Sequence, residues 1–198
     1  MLLRSHTSSR GSRTSECLVR IYTFFVPEPE TARAIAVSEI LTALCAQRLR
    51  DISPETLVAI GGRGARSLIR QNTNNDYWGR AWAARALCYH WHDSALEPLL
   101  TALRDPHWRV RMNAARALSL HAGFAAVDAL CAALEDAHWR VRQAAAIGLW
   151  RIADPEALPA LQDAFWDGHE AVQAALERTI TALERHDHRL GVRSLSRR

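Results

Sequence analysis

The chain contains no lysine: all 25 of its basic residues are arginine. GC-rich coding produces that usage as readily as phosphate recognition does, so the pI of about 9.2 has to be resolved along the chain before it implies a partner. Long apolar runs are also missing. Arg or Asp interrupts every apolar stretch within about a dozen residues, well short of the ~20 that cross a bilayer, which excludes a membrane-spanning helix. The four cysteines (Cys17, Cys45, Cys88, Cys131) form no CxxC pair, so they point to reduced thiols in a cytoplasmic protein and to no zinc site. No GxSxG, HExxH, Walker loop or GxGxxG occurs in its required context. Gly61, Gly62 and Gly64 flank Arg63 without a preceding strand or a Lys-Ser/Thr pair, and read as a turn. Neither a catalytic centre nor a cofactor or metal site follows from these residues.

Charge is distributed unevenly. Residues 1–73 hold 10 Arg against 6 acids, residues 74–183 hold 10 against 13, and residues 184–198 hold 5 against 2. The basic excess therefore sits at the ends, which weakens any net-charge argument for nucleic-acid binding by the whole molecule. Residues 1–30, rich in Ser and Arg, read as a disordered basic arm. Residues 31–73 read as N-terminal helices, one over 32–50, with a degenerate capping hairpin at 53–60 and 65–71. Residues 74–185 carry the repeats, and residues 186–198 read as a flexible basic tail in which His186 and His188 are solvated.

What is present is a repeat. Residues 105–111 read DPHWRVR and residues 136–142 read DAHWRVR, a shift of 31; the same shift reaches DGHEAVQ at 167–173. Apolar columns obey the register without a gap: Leu99, Leu130, Leu161, and Leu87, Leu118, Leu149, Ile180. Stepping back by 31 sets Asn74 under Asp105, Arg80 under Arg111 and Leu68 under Leu99. Each unit reads as a short helix (95–103, 126–134, 157–165), an Asp, and a longer Ala-rich helix. Asp105, Asp136 and Asp167 are natural N-caps, and Pro106 and Pro155 suit a first helical position. One such hairpin has too little apolar surface to stand alone; stacking completes its core.

These residues resemble HEAT repeats, and more narrowly the short subtype called PBS-lyase HEAT-like repeats. Asp105, Val110, Arg111, Ala114 and Ala115 carry the likeness, as do Asp136, Val141, Arg142, Ala144 and Ala145, and then Asp167, Val172, Ala174 and Ala175. Gly79 stands where the pattern has Val, and Gln173 where it has Arg. The resemblance implies an all-α fold, a right-handed α-α superhelix of stacked two-helix hairpins. It further implies a structural ladder of Asp105, Arg111, Asp136, Arg142 and Asp167, with second helices lining the concave side. Bilin lyases, hydroxylases and plain scaffolds share such repeats, so the likeness leaves function open.

On the second helices, aromatic residues and arginines alternate through the columns Tyr77, Trp108, Trp139, Glu170; Trp78, Arg109, Arg140, Ala171; and Arg85, Arg116, Ile147, Arg178. Between Trp78 and Arg151 these helices hold eight Arg and no acid. Trp and Arg dominate binding hot spots, which makes Trp78, Arg85, Trp108, Arg109, Arg116, Trp139, Arg140 and Arg151 the candidate partner-binding residues. Arg109, Arg116 and Arg140 lead them, having no evident structural duty. A non-enzymatic scaffold that holds an acidic or extended protein partner on the concave face is expected, with nucleic acid or a tetrapyrrole as alternatives; if the chain is an enzyme, the resemblance points to a phycobilin lyase-like activity. His107, His138 and His169 recur too far apart to share one metal ion, since packed helices stand about 8–10 Å apart and Zn–N bonds are near 2 Å. They read as exposed first-turn residues.

Overall fold

The computed structural model describes residues 37–71 and 75–195, with side chains described for 38–67 and 75–185. The basic arm read over residues 1–30, Cys17, the register partner Asn74, and the side chains of Leu68, His186 and His188 lie outside them. Among the described residues the regular structure is entirely helical: α1 (Val37–Cys45), α2 (Pro54–Gln71), α3 (Tyr77–Ala86), α4 (Leu96–Ala102), α5 (Trp108–His121), α6 (Val127–Ala133), α7 (Trp139–Ile152), α8 (Leu158–Asp163) and α9 (Glu170–Leu195). The backbone of α9 thus stays helical through residues whose composition suggests a tail.

Each short helix is entered through a single 3-10 turn, Asp93–Ala95, Gly123–Ala126 or Pro155–Ala157. Asp154 caps the last of these by accepting from the Glu156 amide at 3.0 Å, and Pro155 follows it, where no amide donor is needed. Pro106 has a different place. It lies in the turn ahead of α5, which opens two residues later at Trp108.

The core is a seam between helices. Leu99, Leu118, Leu130, Leu149 and Leu161 are fully buried, each contributing about 2 kcal/mol by leaving water. Ala83, Ala114, Ala115, Ala117, Ala145 and Ala146 are equally buried, and their small side chains let α3, α5, α7 and α9 pack directly on one another. Polar groups in this seam bridge helices: Asn113 Nδ2 donates to the Ala81 carbonyl at 3.0 Å, and Thr179 Oγ1 to that of Ala146 at 3.1 Å.

Upstream of α3 the 31-residue spacing lapses. Arg111 Nη1 donates to the carbonyls of Asp105 and Pro106, which follow α4; Arg80 Nη1 donates instead to those of Ala46 and Gln47, which follow α1. Helix α1, with Ile40, Ala43 and Leu44 buried, therefore stands against α3 as α4 stands against α5. Helix α2 is two helical stretches meeting at Gly62, whose φ of 57° and ψ of −138° only glycine adopts without strain. Only this residue, of the four at 61–64, breaks the helix. A Cβ on Gly79 would lie 2.3 Å from Ile52 Cδ1, so the Val of the later units gives way here to the side chain of the inserted segment.

Candidate functional site

The long helices of the repeats all open in the same way. Asp105, Asp136 and Asp167 each accept, through Oδ1, the amide of the histidine two residues on at 2.8 Å. That turn presents His107, His138 and His169, whose Nδ1 atoms accept from the amides of Arg109, Arg140 and Ala171 at 3.2 Å. The N-cap is thus the histidine, not the aspartate the sequence pattern suggests. An Nδ1 that caps a helix must be unprotonated, and a cation at a helix N-terminus is unfavourable. Burial, with the nearby charges of Arg109 and Arg140 respectively, lowers the pKa of His107 and His138 accordingly.

Freed from capping the helix itself, each aspartate takes the arginine of the preceding long helix. Arg80 Nε reaches Asp105 at 2.6 Å, Arg111 Nε reaches Asp136 at 2.6 Å, and Arg142 pairs likewise with Asp167. A second donor, Nη2, reaches the other oxygen of Asp136 at 2.8 Å and of Asp167 at 2.9 Å, a two-pronged fit that lysine lacks. Burial pushes the Asp136 carboxyl up, but the Arg111 hydrogen bond, the His138 amide and the Arg111 charge outweigh it and hold its pKa below the ordinary value. The Arg142 hydrogen bond does the same for Asp167.

Rings fill the space beside this ladder. Tyr77 stacks on His107 at 3.4 Å between centroids, Trp108 on His138 at 4.0 Å, and Trp139 on His169 at 3.8 Å, with planes within 13° of parallel. In every case the aromatic residue opening one long helix covers the cap of the next. The histidines are therefore partly buried parts of a stack, which corrects their reading as exposed first-turn residues. The sequence did carry a signal for it: an aromatic residue directly follows the cap position in three consecutive units.

The eight candidate contact residues fall into two groups. Trp78, Trp108, Arg109, Trp139 and Arg140 belong to the rim at the helix N-termini. Trp78 packs on Trp82 at 5.4 Å; the Arg109 guanidinium lies 4.3 Å from the Trp108 centroid and 5.1 Å from that of Trp78, and Arg140 lies 4.2 Å from Trp139. Arg109 and Arg140 thus have a structural duty that residue spacing did not reveal: each holds an indole by cation–π attraction.

Arg85, Arg116 and Arg151 form the second group, toward the other ends of α3, α5 and α7. Arg151 Nη1 reaches Ser119 Oγ at 3.5 Å, and Ser119 Oγ donates to the Arg116 carbonyl at 2.8 Å. Cys88 occupies the register position of Ser119 one helix earlier; burial pushes its thiol up to about 11, against the pull of the Arg116, Arg85 and Arg151 charges. A protonated thiol of this kind is a poor nucleophile. Nearby His121 stacks on Trp91 and donates through Nε2 to the Cys88 carbonyl at 2.9 Å.

An all-helical repeat array, each hairpin tied to the next by one ion pair and one ring stack, defines the class of protein. Residues 65–123 and 121–181 match the family of HEAT repeats. These matches span more than half of the chain, which belongs to that family. No curated protein matches it. HEAT repeats serve generally as protein-interaction scaffolds. Among the described residues no helix is long and apolar enough to cross a membrane.

Proposed function

We propose that the chain is a non-enzymatic scaffold of the short PBS-lyase HEAT-like subtype, holding an acidic, extended segment of a partner protein along its long helices. The observation that carries this reading is charge segregation. Helices α3, α5 and α7 contain eight arginines and no carboxylate, while acids such as Asp93, Glu97, Asp128, Glu135 and Asp163 sit on the short helices and turns. Arg80, Arg111 and Arg142 are spent on the ladder. The other five present one sign of charge on one side of the array, and a stack of hairpins offers that side as a long open surface.

The rim geometry favours this reading over its alternatives. A nucleic-acid base or a tetrapyrrole would need open indole faces on which to stack. Trp108 and Trp139 are already engaged, each by a histidine ring and a guanidinium. A labelled poly-glutamate peptide, a single-stranded oligonucleotide and a free bilin, each titrated against the full chain over a salt series, test the proposal. Poly-glutamate is expected to bind, more weakly as salt rises, and about tenfold more weakly to an Arg109→Ala, Arg116→Ala, Arg140→Ala triple variant. Equal binding by parent and variant refutes the assignment. Tighter binding of the oligonucleotide, or a red-shifted bound bilin, replaces it with the corresponding alternative.

A further inference from the structure

The row of rings and guanidinium groups along the rim stops one member short. Trp108 shows what a complete place in that row holds. The His138 ring stacks on it at 4.0 Å, its neighbour Arg109 stands 4.3 Å from its centroid, and Arg140 of the next long helix stands 5.3 Å from it. Trp78 is likewise met from the next long helix, by Arg109 at 5.1 Å. Trp139 has the first two of these contacts, His169 at 3.8 Å and Arg140 at 4.2 Å. The third is missing among the described residues, because the position 31 residues beyond Arg140 is Ala171.

The residues around that place carry the opposite sign of charge. Glu170, which is exposed, stands where the two preceding units have Trp139 and Trp108, and its carboxylate has no ion pair among the described residues. It is the first carboxylate on this row, since α3, α5 and α7 contain none. Trp166, 87% exposed, stands in the turn that presents His169, with Phe165 edge-on to it at 5.1 Å. The end of the matched repeats explains only part of this change. An arginine at 173 would reach forward to a further unit, beyond the matched residues; an arginine at 171 would reach back to Trp139, which is present.

We propose that this place is a seat for an arginine side chain of a partner protein, its guanidinium beside Trp139 and its forked donors on the Glu170 carboxylate, with Trp166 taking an apolar residue next to it. The inference goes beyond the acidic-segment reading and stands without it, since it uses none of the arginines on which that reading rests. A base or a tetrapyrrole needs a whole indole face, but a guanidinium needs less: Trp108 accommodates a histidine ring and two guanidinium groups at once. A cation beside an indole is attracted by the ring quadrupole, and a planar guanidinium also fits both oxygens of a carboxylate, which an ammonium does not. Ala171 ends at Cβ where Arg109 and Arg140 reach out over the row, which leaves that room to a side chain from outside.

The test uses the full chain and three labelled peptides of Gly and Leu that differ only at one central residue, arginine, lysine or glutamine. The arginine peptide is expected to bind about tenfold more tightly than the glutamine peptide, with the lysine peptide between them. Glu170→Gln is expected to weaken the arginine peptide about fivefold. Ala171→Arg is the sharper variant. Both preceding units hold arginine at this position, with the same backbone amide donating to a histidine Nδ1, so the change keeps the helix cap. It is expected to fill the seat from within, abolish the preference for the arginine peptide and raise the melting temperature by roughly 2 °C. A glutamine peptide bound as tightly as the arginine peptide overturns the proposal, as does a preference that survives both variants. A melting temperature lowered by Ala171→Arg shows that the row has no room there, and also overturns it. A lysine peptide bound more tightly than the arginine peptide overturns the guanidinium. Self-association of the parent chain that Ala171→Arg abolishes overturns the separate partner, in favour of an arginine from a second copy.

Discussion

The two ends of the long helices use the same residue type under opposite conditions. At the N-terminal rim, Arg111 and Arg142 each meet an aspartate and two backbone carbonyls, while Arg109 and Arg140 lie over indoles. At the other end Arg85 keeps a buried nitrogen without an acceptor among the described residues, and burial lowers its pKa. The rim is where the array is held together. The far end holds a desolvated guanidinium nitrogen that the described residues leave unanswered.

The sharpest way to break this contrast is at the ladder. Arg111→Ala strands Asp136 partly buried beside its turn and should cost about 3 kcal/mol in chemical denaturation; a loss under about 1 kcal/mol would mean that the rim ion pairs are no more than surface pairs. Next comes the stack. His138→Ala removes both a helix cap and the ring under Trp108, for an expected loss of about 1–2 kcal/mol, and Asn at the same position should restore the cap but not the stacking.

At the far end the sign reverses. Arg85→Gln should stabilise the free protein by roughly 1 kcal/mol, since it withdraws a desolvated charge that lacks an acceptor; destabilisation would show that Arg85 belongs to the same structural class as Arg111. The smallest effect is that of pH. His107 and His138 have pKa values lowered from 6.5, so their neutral forms contribute stability that is complete above that value and is lost as pH falls through the lowered ones. Asp136 and Asp167, lowered from 3.8, add a second loss of the same sign at more acid pH. A melting-temperature profile from pH 8 to 3 should fall in two steps, and His138→Asn should shrink the first.

The hairpins were legible because a fixed period of 31 and Leu columns such as Leu99, Leu130, Leu161 encode burial directly in residue order. The candidate site was legible only as a list of residue types in register. Spacing put Trp108 and His138 in separate columns, yet they touch, since stacking joins position i of one helix to i+30 on the next. Spacing likewise assigned the helix cap to Asp136, which lies two residues too early and spends its oxygens on the His138 amide and on Arg111. Ahead of Tyr77 the period of 31 does not hold, because α1 and the Gly62-broken α2 follow another spacing.

Residue order alone determined that this chain stacks two-helix units in a constant stagger, because helix periodicity and Leu and Ala placement are local properties that survive without coordinates. Which arginines are consumed by the ladder and the ring stacks was decided only in three dimensions. A guanidinium's partner lies in the next repeat unit, 25 residues away for Arg111 and Asp136, and for Arg85 Nη2 it is missing among the described residues. Charge on a sequence says what a side chain can do; only packing says whether a neighbour has already done it.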